Sequence, residues 1–144
     1  MYKKVFLDAN IFIDLFDESR DRDKKAYQVF SYLTQNDIAL YTSCDLVTTI
    51  YYILSKTSKE LALNNIEKIN KICKIIDFGN EEVKQTCELM RENKKFKDLE
   101  DTIQYILALK EECDLIISND KNFISEGIEI FTTKEFLEKL EGKK

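Results

Sequence analysis

Short apolar runs alternate with longer stretches of helical period, and this alternation constrains the fold more than any other feature of the sequence. Val5-Phe6-Leu7 reads as a buried strand ending at Asp8, and Ile11, Phe12, Leu15 and Phe16 then form one stripe of a brief helix. A charged turn, Ser19 to Asp23, leads to Ala26, Tyr27, Phe30 and Leu33 at helical spacing, up to about Gln35. Asp37 to Thr42 is strand-like. Ser43 sits where a helix N-cap is favoured, and Leu46, Ile50, Ile53 and Leu54 carry that helix to about Lys56. Ser58 is a second N-cap, opening a helix whose Leu61, Ile66, Ile69 and Ile72 are expected to face inward. Lys74 to Phe78 is a short strand closed by Gly79-Asn80, a turn pair.

Val83, Cys87 and Met90 mark the next amphipathic helix, which fades in the charged stretch Arg91 to Lys97. Asp98 opens a helix carrying Ile103, Ile106, Leu107 and Leu109. Asp114 to Ser118 is the clearest strand, ended by Asn119-Asp120. Ile128 to Phe131 is a last strand, followed by a helix from about Thr133 to Leu140. Strands separated by helices predict an α/β domain with a parallel sheet, with two helices between the second and third strands. No repeat, linker or low-complexity tract interrupts the pattern, so residues 1–144 are expected to form one domain.

Composition removes several chemistries. There is no histidine, which excludes His-based acid–base catalysis, Ser-His-Asp triads and Cys-His zinc sites. The four cysteines, at 44, 73, 87 and 113, form no CxxC pair and read as isolated, mostly buried, reduced thiols. No apolar stretch reaches signal-peptide or membrane-span length, so a cytoplasmic protein without a membrane partner is expected. With 27 acidic against 22 basic residues, a basic-patch mode of nucleic-acid binding is disfavoured. Nucleic acid reached through a bound cation is not.

In open α/β sheets, ligands bind beyond the carboxyl ends of the strands near the switch in strand order. Asp8 follows the first strand, with Asn10 two positions on, and Asn119-Asp120 follow the fourth. Asp98, Glu100 and Asp101 crowd the first turn of the helix leading into that fourth strand. If the first and fourth strands are neighbours, these carboxylates converge and need a cation to offset their repulsion. A hard ion on oxygen ligands, Mg²⁺ or Mn²⁺, suits them better than zinc. Each element also has a plain structural reading: Asp8-Ala-Asn10 as a helix cap, the acids at 98–101 as complements of a helix dipole, Asn119-Asp120 as a turn. Asp77 after the third strand admits a phosphoacceptor receiver domain. That fold's acidic pair after the first strand and lysine after the fifth are both missing.

VFLDANIFID, DLEDTIQY and IISNDKNF, with the terminal IEIFTTKEFLEKL, resemble the motifs of a PIN domain over nearly the whole chain. They are most similar to the group with a DxEDxxQY-type third motif, related to VapC-type toxins. The resemblance implies a three-layer α/β/α sandwich on a parallel sheet of 4–5 strands and Mg²⁺- or Mn²⁺-dependent endoribonuclease activity. It also implies an RNA substrate, a homodimer and an antitoxin partner of a type II pair. By position it assigns metal-binding and catalytic roles to Asp8, Asp101 and Asp120, with Asp98 an accessory acid and Asn10 the polar companion of Asp8; Asn119, beside Asp120, is a secondary candidate. Many family members carry a glutamate on the helix after the second strand, and counting from Ser43 puts Thr49 there. Asp45, four residues earlier on the same face, either supplies a shifted carboxylate or is a first-turn helix charge, in which case the site runs with a hydroxyl and water instead. The alternative function is a catalytically silent PIN-like interaction module. The lysines from 94 to 97 read as a solvated charge run, and Tyr51 and Tyr52 as core and interface.

Overall fold

The computed structural model describes residues 1–17, 19–21 and 23–142; Arg22, within the expected charged turn, lies outside the described residues. The elements are β1 (Lys4–Leu7), α1 (Ala9–Phe16), α2 (Lys25–Gln35), β2 (Ala39–Ser43), α3 (Cys44–Leu54) and α4 (Lys59–Ile72). They continue with β3 (Cys73–Ile76), α5 (Asn80–Glu92), α6 (Leu99–Lys110), β4 (Leu115–Ile117), β5 (Glu129–Phe131) and α7 (Thr133–Gly142). The five strands form one sheet in the order β3-β2-β1-β4-β5, with every pair parallel. Val5 stands opposite both Leu40 and Leu115, and Phe6 opposite Tyr41 and Ile116.

Central strands of a parallel sheet are covered on both faces and so tolerate no polar alternation. Val5, Phe6 and Leu7 of β1 and Leu115, Ile116 and Ile117 of β4 are accordingly all fully buried. On one side α1 packs on α2 and α3, α3 on α4, and α2 on α7; α5 and α6 form a separate pair, with α6 against β2. This is the three-layer sandwich. From β1 the chain winds outward through β2 and β3, then crosses back to β4 beside β1. The switch in strand order falls between β1 and β4.

Three expectations need correction. Leu61 and Ile72 do not face inward: they are 60% and 41% exposed, because α4 packs along α3 and β3 and encloses only the stripe through Ala62 and Ile69. Ser43 precedes α3, but its hydroxyl caps no backbone N–H and turns to side chains instead. Ser58, by contrast, accepts from the Leu61 N–H as a cap should. Only two of the four thiols are buried, Cys73 and Cys113, each pushed by burial to a pKa of about 12; Cys44 and Cys87 are partly exposed. Boundaries shift slightly, α3 ending at Leu54 and β3 at Ile76, so Asp77 lies just past its strand. Among the described residues no helix is long and apolar enough to cross a membrane.

Candidate active site

The carboxyl ends of β1 and β4 meet where the strand order switches. The Asp8 N–H donates to the Ile117 carbonyl (3.1 Å), fixing the two strand ends side by side. Asp8 caps α1, its Oδ1 accepting from the Ala9 N–H at 2.8 Å. The capping reading is therefore correct, but it uses only one oxygen. Oδ2 accepts from the Ser118 hydroxyl at 2.7 Å and from Asn10 Nδ2 at 3.3 Å. Asp8 is only 6% exposed, and this loss of water raises its pKa. The hydrogen bonds from Ser118 and Ala9 oppose that rise, and the charge of Asp120 adds to it.

Ser118 joins two of the acids: its Oγ donates to Asp8 and accepts from the Asp120 N–H at 3.1 Å. Asn10 Oδ1 accepts from the Asn119 N–H (3.1 Å), pinning the same turn to α1. The Asn119 side chain faces away from the acids, donating to Asp14 (3.2 Å) and accepting from the Thr133 N–H (2.9 Å) at the start of α7.

The third acid comes from α6. Asp98 is its N-cap, Oδ1 accepting from the Asp101 N–H at 2.9 Å, which aims the first turn of the helix at the strand ends. Asp101 is pushed up to about 7 by burial first, then by the charges of Asp8, Asp98 and Asp120 and a hydrogen bond with Asp120. Glu100 is raised in the same sense by burial, Asp45, Asp8 and Asp98. Thus α6 faces the site with Glu100 as well as Asp101, and connects it to Asp45. Thr49 is partly buried in α3 and makes no side-chain hydrogen bond among the described residues.

Asp98, Asp101 and Asp120 open into a cleft of about 1030 Å³. Lys94, Lys95 and Lys97 line one part of it and Lys121 another. Lys95 pairs with Glu126 (3.5 Å), whereas Lys94, Lys97 and Lys121 have no carboxylate within 4 Å among the described residues. The run from 94 to 97 is therefore a wall of the cleft, not merely a solvated face. Phe96, buried within it, packs on Tyr105 (centroids 5.2 Å apart), and the Tyr105 hydroxyl accepts from the Gly127 N–H at 2.9 Å. A Cβ at Gly127 would meet that hydroxyl at 3.1 Å, so glycine permits the close approach.

Among the described residues no three Asp, Glu or Cys side chains are already drawn into metal-holding geometry. The donor set nevertheless fits a hard divalent cation. It consists of carboxylates without histidine or thiolate, and burial together with their mutual repulsion already raises Asp101. Sequence reasoning missed Ser118 and Gln104 and left Glu100 without a role. The available signals were a hydroxyl ending an apolar strand and one amide inside the buried run from Thr102 to Ala108.

Carboxylates converging at the switch point of a parallel α/β sandwich define a class, and a PIN-domain family profile matches residues 4–122. The chain belongs to the PIN-domain family. It is 51% identical over 137 residues to ribonuclease VapC1 of Aquifex aeolicus (strain VF5), covering 95% of each chain. Its fold resembles VapC20 of Mycobacterium tuberculosis, described as a sarcin-ricin loop cleaving toxin (TM-score 0.66, 15% identity, 83% of this chain and 92% of that one). It also resembles VapBC2 from Rickettsia felis bound to a promoter DNA fragment (TM-score 0.68, 18% identity, 90% and 98%).

Proposed function

We propose that this chain is a divalent-cation-dependent endoribonuclease, the toxin of a type II toxin–antitoxin pair, with Asp8, Asp101 and Asp120 holding Mg²⁺ or Mn²⁺. The observation that carries this reading is the convergence of three acids on one end of the sheet, delivered by β1, α6 and the turn after β4, with Ser118 tying Asp8 to the Asp120 backbone. The strong identity to a ribonuclease supports RNA as the substrate, and the likeness to a VapBC assembly supports an antitoxin partner.

When bound, the cation supplies an activated water at neutral pH and offsets charge on the phosphorus and the leaving oxygen. The chain's own residues do the rest. Ser118 fixes the Asp8 carboxylate and the Asp120 backbone in one register. Asp98 orients the helix that presents Asp101. Asp101, its pKa raised to about 7 by burial first and then by the neighbouring acids, is partly protonated near neutral pH in the ion-free protein and would lose that proton on holding a cation. Lys94, Lys97 and Lys121, free of internal ion pairs among the described residues, flank the acids and take the phosphates on either side of the scissile bond. The protein's net charge of -5 is no obstacle, because attraction is local to the cleft. Tyr52, Leu61 and Leu63, all substantially exposed, give apolar surface for the homodimer that the family resemblance implies.

The test is cleavage of an RNA pool by the purified protein with Mn²⁺, with EDTA, and with the Asp8→Asn variant. Asparagine caps a helix as well as aspartate does, so the variant should keep its fold. Cleavage is expected with Mn²⁺ alone and absent from the variant, with an unchanged circular dichroism spectrum. Equal cleavage by the variant overturns the assignment; absence of both cleavage and Mn²⁺ binding points to a silent interaction module.

A further inference from the structure

Gln104 is fully buried on α6, three residues beyond Asp101 and hence on the same helical face. A buried amide is costly unless its donors and acceptor are used, and in the middle of an apolar helix leucine would be the default. The partners of Gln104 lie far away in sequence. Its Nε2 donates to both oxygens of Asp45, at 3.0 and 3.3 Å. The buried Ser43 hydroxyl lies 2.6 Å from Gln104 Oε1 and also contacts Asp45 Oδ1, sharing its single proton between two acceptors. Since a carboxylate only accepts, the amide nitrogen must face Asp45, which fixes the orientation of the side chain.

Where this clamp sits gives it meaning. The Thr42 hydroxyl donates to the Leu7 carbonyl at 3.0 Å, locking the end of β2 to the residue before Asp8. Ser43 and Asp45 follow immediately, at the same edge of the sheet as the acids. Asp45 lies in the first turn of α3, yet its carboxylate accepts from no backbone N–H among the described residues, so it is not a side-chain cap. Nor does it meet a Lys or Arg within 4 Å among them, unlike Asp14 with Arg20 (3.3 Å) and Glu111 with Lys74 (2.7 Å). Its charge is held by neutral donors and left without an internal counter-ion. Glu100 lies within electrostatic reach of both Asp45 and Asp8, bridging the clamp to the strand-end acids.

We infer that Gln104 is a positioning residue: with Ser43 it holds the Asp45 carboxylate at the carboxyl edge of the sheet, so that Asp45, and not position 49, is the fourth acidic arm of the cation site. The inference rests on the reading of Asp8, Asp101 and Asp120 as cation ligands. It accounts for a threonine at position 49: the acidic function has moved one helical turn toward the N-terminus of α3 and acquired a dedicated amide to hold it.

The experiment is calorimetric titration of the full chain with Mn²⁺, comparing the wild type with Asp8→Asn, Asp45→Asn, Gln104→Met, Thr49→Ala and the Asp45→Asn/Gln104→Met double variant. Asp45→Asn and Gln104→Met should each weaken Mn²⁺ affinity by about 10-fold or more, the scale seen for residues that orient metal ligands. The double variant should be no weaker than Asp45→Asn alone, because both substitutions remove one interaction. Thr49→Ala should bind as the wild type does. If Gln104→Met fails to fold, Ser43→Ala replaces it in the same cycle. A lowered melting temperature with unchanged Mn²⁺ affinity in Gln104→Met would make the amide purely structural and overturn the inference. Wild-type affinity in Asp45→Asn, with binding lost in Asp8→Asn, overturns it while sparing the wider reading of the site. No binding by the wild type overturns both.

Discussion

The two ends of the same sheet treat charge in opposite ways. Toward the amino end, Lys4, Lys74, Glu111 and Asp114 are each held by a hydrogen-bond or ion-pair partner. The Asp114 carboxylate accepts from the Lys3 and Lys4 N–H groups (2.9 and 3.2 Å), Lys4 Nζ donates to the Glu111 carbonyl (3.2 Å), and Lys74 pairs with Glu111 (2.7 Å). At the carboxyl end, Asp8, Asp101, Asp120 and Glu100 face one another, and the pKa values of Asp8, Glu100 and Asp101 all rise. One end is arranged for stability. The other keeps an excess of one sign that the fold itself does not relieve, as expected where structure is subordinate to binding.

Removing a charge should therefore have opposite consequences at the two ends. The largest effect is expected for Asp101→Asn: Mn²⁺ affinity and Mn²⁺-dependent RNA cleavage should fall on the order of 100-fold. In EDTA at pH 8 the same variant should melt higher than the wild type, because it loses a repelled carboxylate. A lower melting temperature there would break the comparison.

A smaller effect is expected on pH. Asp101 titrates near 3.8 when unfolded and near 7 when folded, so between those values the folded chain holds a proton that the unfolded chain does not. Stability of the metal-free protein is thus greatest at the acidic side of that window and falls as pH rises through 7. Thermal melts in EDTA from pH 5 to 8 should show this decline, and Asp101→Asn should flatten it; a rise in stability toward pH 8 would contradict the assignment of charge. The smallest effect belongs to the other end. Asp114→Ala should cost about 1 kcal/mol by denaturant titration, the net worth of such hydrogen bonds, and leave Mn²⁺ affinity unchanged. A loss of affinity there would mean that the two ends are coupled.

Much of this architecture is legible in the residues themselves. Buried parallel strands read as unbroken apolar runs, so β1 and β4 were recognisable, and the acids that end them followed directly. Helix α4 was recognisable as a helix, but not by its buried face. Leu61, Ile66, Ile69 and Ile72 satisfy a helical period, whereas only packing along α3 determines that Ala62 and Ile69 are covered. The contact between Asp45 and Gln104 was hidden for a different reason. An amide or a carboxylate takes its function from its partner, and here the partners are 59 residues apart. For Asp45 the sequence left a shifted carboxylate and a helix-dipole charge side by side with nothing to choose between them, and a run of lysines from 94 to 97 gave no hint that a cleft lay beside it.

Helix α6 carries Asp98, Glu100, Asp101 and Gln104 within fewer than two turns. Because each residue turns an α-helix by about 100°, these four are in phase only at their present spacing. A single-residue deletion between Asp101 and Gln104 would swing the amide off Asp45 while sparing the acids before it, whereas lengthening the exposed turn at Lys56 and Thr57, between α3 and α4, would change only a connector. The tolerance of this protein to insertions and deletions should therefore differ sharply between these two places, permissive in the turn after α3 and intolerant in the opening turns of α6.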